Sequence, residues 1–121
     1  MSTTPTEIRL RKNSRVLTVA FDDGSRFDLP FEYLRVFSPS AEVRGHAPGQ
    51  EILQTGKERV QINAVLPVGH YAVRLVFDDG HDTGLYTWEY LYELGNTQIE
   101  KWRAYLDRLR AAGYARQPPD D

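Results

Sequence analysis

The tetrapeptide Phe21-Asp22-Asp23-Gly24 returns as Phe77-Asp78-Asp79-Gly80, and each copy is followed by a Glu-Tyr-Leu segment, Glu32-Tyr33-Leu34 and Glu89-Tyr90-Leu91. Asp-Asp-Gly after a β-branched and aromatic run is a hairpin signal, because Asp and Gly tolerate the positive φ of tight turns. The echo therefore predicts two strand–turn–strand–helix units in one sheet system. Each unit is too short to bury a core of its own. The echo also separates scaffold from site: shared features are architecture, and features of one copy are where function could sit. The second copy carries His81 after its glycine, where the first has Ser25.

The strands and helices follow from local pattern. Ile8 to Arg11 alternates apolar and charged residues, Val16 to Phe21 is β-branched and aromatic, and Arg26 to Leu29 alternates again. Pro30 suits the first turn of a short helix over Phe31 to Phe37, which should stop before Pro39. Val43 to Gln50 reads as irregular. In the second unit Val60 to Val65 and Tyr71 to Phe77 are strands, joined by a turn at Pro67-Val68-Gly69. A return strand lies near Thr83 to Tyr86. Thr87 should cap a helix over Trp88 to Leu94, with Gly95 as its stop. Thr97-Gln98-Ile99-Glu100 fits a capping box opening a last helix, whose Ile99, Trp102, Leu106 and Leu109 form one apolar stripe and which Gly113 ends. The fold class is α+β: antiparallel hairpins with short helices and a C-terminal helix. The expected division is a disordered start over 1–7, a module over 8–96, a helix over 97–113 and a disordered tail over 114–121.

Composition excludes several functions. The 121 residues have a net charge of −2, and basic residues are scattered among acids, which argues against nucleic acid. No cysteine is present, so disulfides, thiolate metal sites and cysteine nucleophiles are ruled out for this chain. Met1 to Thr6 lacks the apolar segment of a secretory signal, and no run reaches the length of a membrane span. The expectation is a cytoplasmic protein that binds neither membrane nor nucleic acid.

The densest set of polar ligands is Asp78-Asp79-Gly80-His81-Asp82. Carboxylates with a neutral imidazole can hold zinc or iron, which makes His81 and Asp79 metal candidates. Turn chemistry alone accounts for the Asp pair, since the first copy makes the same turn without histidine. His46 lies in Arg44-Gly45-His46-Ala47-Pro48-Gly49-Gln50, a loop whose glycines allow close approach of a ligand. A connecting loop with an exposed histidine is the plainer reading. Gly56-Lys57 lacks the P-loop spacing, and no nucleophile elbow surrounds Ser38 or Ser40. No catalytic residue is assigned.

Tyr33-Leu34-Arg35-Val36-Phe37-Ser38-Pro39-Ser40-Ala41-Glu42-Val43-Arg44-Gly45-His46 resembles the small bacterial proteins classed as gamma-butyrobetaine hydroxylase-like N-terminal domains. So do Leu53-Gln54-Thr55-Gly56-Lys57 and the run from Phe77 through His81 and Gly84 to Tyr90-Leu91-Tyr92-Glu93-Leu94-Gly95. The resemblance covers about residues 8 to 96. In the carnitine-pathway hydroxylases such a module precedes an oxygenase domain and holds structural zinc through Cys-x-Cys-x-x-Cys and a later histidine. The matching positions here are Ser38, Ser40, Val43 and His81. A similar module ends some plastid P-loop ATPases that act as iron–sulfur scaffolds. The resemblance thus implies an adaptor role near metal-cofactor proteins, without the oxygenase domain.

The leading expectation is a non-catalytic binding or adaptor module with a protein partner, accessory to iron–sulfur or iron-enzyme maturation. It would bind through His46, Arg44 and His81 on one face. The alternatives are an autonomous enzyme that binds a metal or small ligand through His81, Asp79 and His46, and a structural dimerisation domain. No stoichiometric cofactor is expected, only transient iron or zinc. Elemental analysis of the purified protein should give well under one zinc per chain, with stability indifferent to chelators. One tightly held zinc per chain would contradict this.

Overall fold

The two echoed segments fold as the same unit twice. In the first, β1 (Pro5–Arg11), β2 (Val16–Phe21) and β3 (Arg26–Pro30) form an antiparallel sheet, and α1 (Phe31–Val36) follows β3 directly. A single helical turn, α2 (Ala41–Arg44), and an irregular connection lead to the second. There β4 (Ile62–Val68), β5 (Ala72–Phe77) and β6 (Leu85–Thr87) form the second sheet, and α3 (Trp88–Asn96) follows directly. The helix α4 (Gln98–Ala111) comes last. The structure is a computed structural model that describes residues 3–117.

The correspondence extends to single hydrogen bonds. Gly24 and Gly80 both sit at φ +89°, and their N–H groups donate to the carbonyls of Phe21 and Phe77. Phe21 N–H donates to Ser25 O at 2.8 Å and Phe77 N–H to His81 O at 3.0 Å. The carboxylates of Asp23 and Asp79 accept the backbone N–H two residues on, those of Ser25 and His81. Each first strand carries a register shift near its start, between Pro5 and Glu7 and between Ile62 and Ala64. The start of each helix is tied to its hairpin by the same backbone bond, Phe31 N–H to Arg15 O and Trp88 N–H to Tyr71 O. The turn sequence thus fixes both hairpins, since Gly supplies the left-handed φ and Asp satisfies the exposed donors.

The units share one core. Leu17, Val19, Phe21, Leu29, Phe31 and Leu34 of the first pack in one cluster with Ile62, Val73, Leu75, Phe77, Tyr86 and Leu91 of the second. Two tyrosines cross-link the helices reciprocally. Tyr33 Oη of α1 donates to Leu94 O at 2.7 Å, and Tyr90 Oη of α3 donates to Phe37 O at 2.5 Å. Tyr33 matches Tyr90 in the echo, and Phe37 matches Leu94, so the bonds are related by an approximate two-fold. Each helix end therefore lies over the other unit. Among the described residues no helix is long and apolar enough to cross a membrane.

Several boundaries differ from expectation for identifiable reasons. The start is structured from Pro5, because Thr4 O accepts Asp22 N–H and β1 runs on toward the turn. Ala41–Arg44 is a helical turn because Ser40 Oγ accepts Glu42 N–H and caps it. Pro67 and Val68 belong to β4, and the turn falls at Gly69, φ +54°. Gly95 lies within α3 and does not end it. Thr97 makes no capping box: its Oγ1 donates back to Glu93 O at 2.7 Å, because Thr97 closes α3 as it opens α4. On α4 the buried residues are Tyr105 and Leu109, with Trp102 and Leu106 half-buried, while Ile99 is 73% exposed. The expected tail is anchored through Gln117, since Arg116 pairs with buried Glu32 and Gln117 N–H donates to Glu58 Oε2 at 2.7 Å. Residues 118–121 lie outside the described residues.

Gly95 has a packing role. A Cβ there would lie 2.3–2.5 Å from the ring of Phe27 on β3. Gly→Ala within a helix ordinarily stabilises by about 1 kcal/mol. Here overpacking should dominate, and Gly95→Ala is expected to destabilise by about 1–3 kcal/mol in urea unfolding. In a Phe27→Ala background the same substitution should become neutral or stabilising. Stabilisation in the wild-type background would show that the contact is not tight.

Candidate functional site

The approximate two-fold identifies where the halves differ. Positions in the second unit follow those in the first by 56 residues at the turn, Phe21 to Phe77, and by 57 at the helix, Tyr33 to Tyr90. In the first half the space between hairpin and opposing helix is aromatic. Phe21, Phe27 and Tyr92 meet edge to face, with centroids 5.1–5.9 Å apart. Tyr92 Oη donates to Asp23 Oδ2 at 2.7 Å, and Phe27 covers Gly95. In the second half the same places hold Phe77, Gly84 and Arg35 beside Ser38. Arg35 Nε donates to Asp79 Oδ2 at 2.9 Å, as Tyr92 does to Asp23. Removing the Phe27 ring and substituting Gly84 leaves room, and Ser38 fills it: a Cβ on Gly84 would lie 2.5 Å from Ser38 Oγ.

That room holds a buried polar cluster centred on His81, which is 4% exposed. Its Nδ1 lies 3.0 Å from Glu42 Oε2 and its Nε2 lies 2.8 Å from Ser38 Oγ. A carboxylate only accepts, so Nδ1 carries the proton and the neutral ring accepts the Ser38 hydroxyl at Nε2. Ser38 Oγ in turn accepts Ser40 N–H at 3.2 Å, and Ser40 Oγ meets Thr83 Oγ1 at 2.7 Å. Burial and the nearby positive charge of Arg35 hold the His81 imidazole below its ordinary pKa, against the opposing pull of Glu42. Burial alone would raise the Asp79 carboxyl. Hydrogen bonds from Lys57 Nζ, the His81 N–H and Arg35 Nε outweigh it and set the pKa at about 2. The cluster ties α1, α2 and the second turn together, and its polar atoms satisfy one another.

Beside it opens a hollow of about 410 Å³ between α1, α2, the following loop, α3 and α4. Val36, Phe37, Val43 and Ile52 make its apolar wall, and Ser38, itself buried, borders it from the interior. Arg44, Lys101 and Arg108 supply positive charge, and Glu51 and Glu93 offset part of it near Arg108 and Lys101. The Arg44 guanidinium stacks over the Tyr90 ring at 4.8 Å, a cation–π contact. Lys101 is 3.8 Å from Glu93, whereas Arg44 makes no ion pair among the described residues.

The residues singled out from sequence divide accordingly. Arg44 lines the hollow. His46 is exposed on the loop after α2, and no hydrogen bond joins it to His81 among the described residues. His81 is not an open surface ligand, because both ring nitrogens are engaged in the interior. Asp79 is neutralised by Arg35 and Lys57. The zinc-type positions Ser38, Ser40 and His81 do converge, but the set does not fit zinc: its hydroxyls are neutral, Val43 has no donor, and a Ser38–His81 hydrogen bond occupies the centre. Sequence reasoning missed Arg35, Glu42, Lys57 and Gly84. Aligning Phe27 with Gly84 and Gly95 with Ser38 within the echo would have exposed the opened half.

Residues 8–92 match the family model for gamma-butyrobetaine hydroxylase-like, N-terminal. Two proteins with NMR solution structures are similar over nearly the whole chain. One shares 53% identity over 99% of this chain and 89% of its own, with a TM-score of 0.83. The other shares 47% over 100% and 95%, with a TM-score of 0.84. A crystal structure of a protein of unknown function from Acidithiobacillus ferrooxidans ATCC 23270, of the DUF971 family, shares 48% identity. It covers 76% of this chain and 92% of its own, with a TM-score of 0.65. No curated protein matches.

The His81 environment has a pH consequence. The unfolded chain takes up a proton near pH 6.5, and the folded state resists it because its imidazole pKa is lowered. Stability is therefore fully present above about pH 6.5 and falls as pH drops toward the lowered folded value. Melting temperature should decline between about pH 7 and 5, and His81→Gln should flatten that decline. An equally steep decline in the variant would show that His81 is not held neutral.

Proposed function

The chain belongs to the gamma-butyrobetaine hydroxylase-like N-terminal domain family, and we propose that it is a non-catalytic binding module for a protein partner. The observation that carries this reading is the contrast between the cluster and the hollow. The cluster satisfies its own polar atoms and leaves no free base, so it serves as a scaffold. The hollow beside it combines an apolar wall with a cation on an aromatic platform. Aromatics and arginines dominate binding energies once an interface buries them. A carboxylate-bearing segment of a partner would pair with Arg44 while its apolar side chains meet Val43 and Ile52. The sequence resemblance to modules beside oxygenase and iron–sulfur scaffold domains supports a partner in iron–sulfur or iron-enzyme maturation. His46, on the loop that borders the hollow, would contribute at the rim.

Immobilised wild type and Arg44→Glu, compared by partner capture and thermal melt, test this. Arg44 is exposed, so the melt should shift little, while capture should fall by about tenfold, as expected for reversing an interfacial charge. Equal capture by both proteins would remove the hollow as the site.

One arrangement bears on a nucleophilic enzyme, a reading separate from the metal- or ligand-binding enzyme of His81, Asp79 and His46. Ser38, His81 and Glu42 are arranged as hydroxyl, imidazole and carboxylate, the order of a nucleophilic triad. Ser38 is 1% exposed, and Gly84 packs directly on its hydroxyl, which leaves no approach for an acyl carbon. A fluorophosphonate probe should accordingly leave Ser38 unlabelled. Stoichiometric labelling would make the triad reading the better one.

A further inference from the structure

The two sheets present unlike outer faces at equivalent positions. The inner faces, with Val19, Leu17 and Phe27 on one and Leu75, Val73 and Tyr86 on the other, point to the shared core. On the outer face of the first sheet the rows are Glu7–Ala20–Arg26 and Arg9–Thr18–Asp28. Charges cover it: Arg9 and Arg26 both pair with Glu7, and Arg11 Nε donates to Thr18 Oγ1, which donates to Asp28. The matching positions of the second sheet are Ala64–Val76 and Leu66–Arg74–Leu85. Glu7 is replaced by Ala64, Arg9 by Leu66, Asp28 by Leu85 and Arg11 by Val68. Leu66 and Leu85 are each 38% exposed, on either side of Arg74. Arg74 is exposed and makes no ion pair among the described residues.

This protein thus shows how it solvates a sheet face, and it does so on one side only. We propose that the outer face of β4–β6 is a docking surface for an amphipathic helix of another protein, with one carboxylate set in its apolar stripe. Geometry and charge choose this occupant. Leu66 and Leu85 are two strand spacings apart, about 10 Å, close to the width of a helix lying along the strands. Such a helix would place its axis over Arg74 and its apolar flanks on the leucines. The carboxylate pairs with Arg74, which would otherwise be desolvated without a partner. A second copy of this chain is disfavoured, because stacking the faces centre on centre would oppose Arg74 to Arg74. This surface is distinct from the Arg44 hollow and stands whether or not that reading holds.

The test uses synthetic amphipathic helical peptides of about 18 residues, long enough to be helical, with a leucine stripe carrying a single Glu, Gln or Lys. Titration into isotope-labelled protein should shift the amides of residues 64–66, 68, 72–76 and 85, and leave the outer face of the first sheet unmoved. The Glu peptide should bind about tenfold tighter than the Lys peptide, and Arg74→Glu, with its melt unchanged, should reverse that order. Shifts elsewhere, no shifts, or binding indifferent to the stripe charge would overturn the proposal. So would sedimentation showing a dimer that Leu66→Glu dissociates.

Discussion

Two tyrosine hydroxyls join the halves of this molecule. Tyr33 reaches across to Leu94 O, and Tyr90 reaches back to Phe37 O. Each bond satisfies a carbonyl at the end of the opposing helix, one of the groups a helix cannot pair for itself. Burial pushes both phenols upward in pKa, so they remain donors throughout the physiological range. Because the bonds are reciprocal, they fix how far each helix overlies the other unit's sheet. That overlap brings Gly95 against Phe27 and Ser38 against Gly84. The shared core, the aromatic half and the polar half all depend on this crossing.

Two like units that differ at a few positions account for the distribution of chemistry. One half keeps Phe27, Tyr92 and Gly95, a close-packed aromatic solution. The other has Gly84, Arg35 and Ser38 at the same places and gains a buried network around His81. A buried network that satisfies its members specifies geometry more than it supplies reactivity. Here it holds α2 against the second turn through Glu42 and Ser40, and α2 forms one wall of the hollow. The histidine thus holds that wall of the hollow in place from beneath. Its resemblance to a metal-ligand position is one of place, with hydroxyls and Val43 where a zinc tetrad would need thiolates.

The echo made much of this legible. Both hairpins, both following helices and the Thr87 cap were readable because turn residues and strand periodicity are local signals. Gly95 and Thr97 misled for a physical reason. Glycine and threonine have strong terminal preferences, but tertiary contact with Phe27 and the shared α3–α4 junction override them. The site was half visible. Ser38 and His81 stood out as positions, and Arg44 as a candidate. Their burial, the Glu42 partnership and the neutralisation of Asp79 by Arg35 and Lys57 depend on contacts over roughly 20 to 45 residues of sequence, which no local pattern encodes. On α4 the apolar stripe was drawn through Ile99, which is exposed and faces away from the core.

The central claim is that His81 is a neutral, doubly engaged strut and not an open ligand. Ring-nitrogen chemical shifts of His81 across pH 5 to 8 test it most directly. The structure predicts a neutral ring protonated at Nδ1, with a midpoint below the ordinary histidine value near 6.5. It also predicts an Nε2 shift that responds to Ser38→Ala. A ring protonated at Nε2, or a midpoint at or above 6.5, would contradict the account.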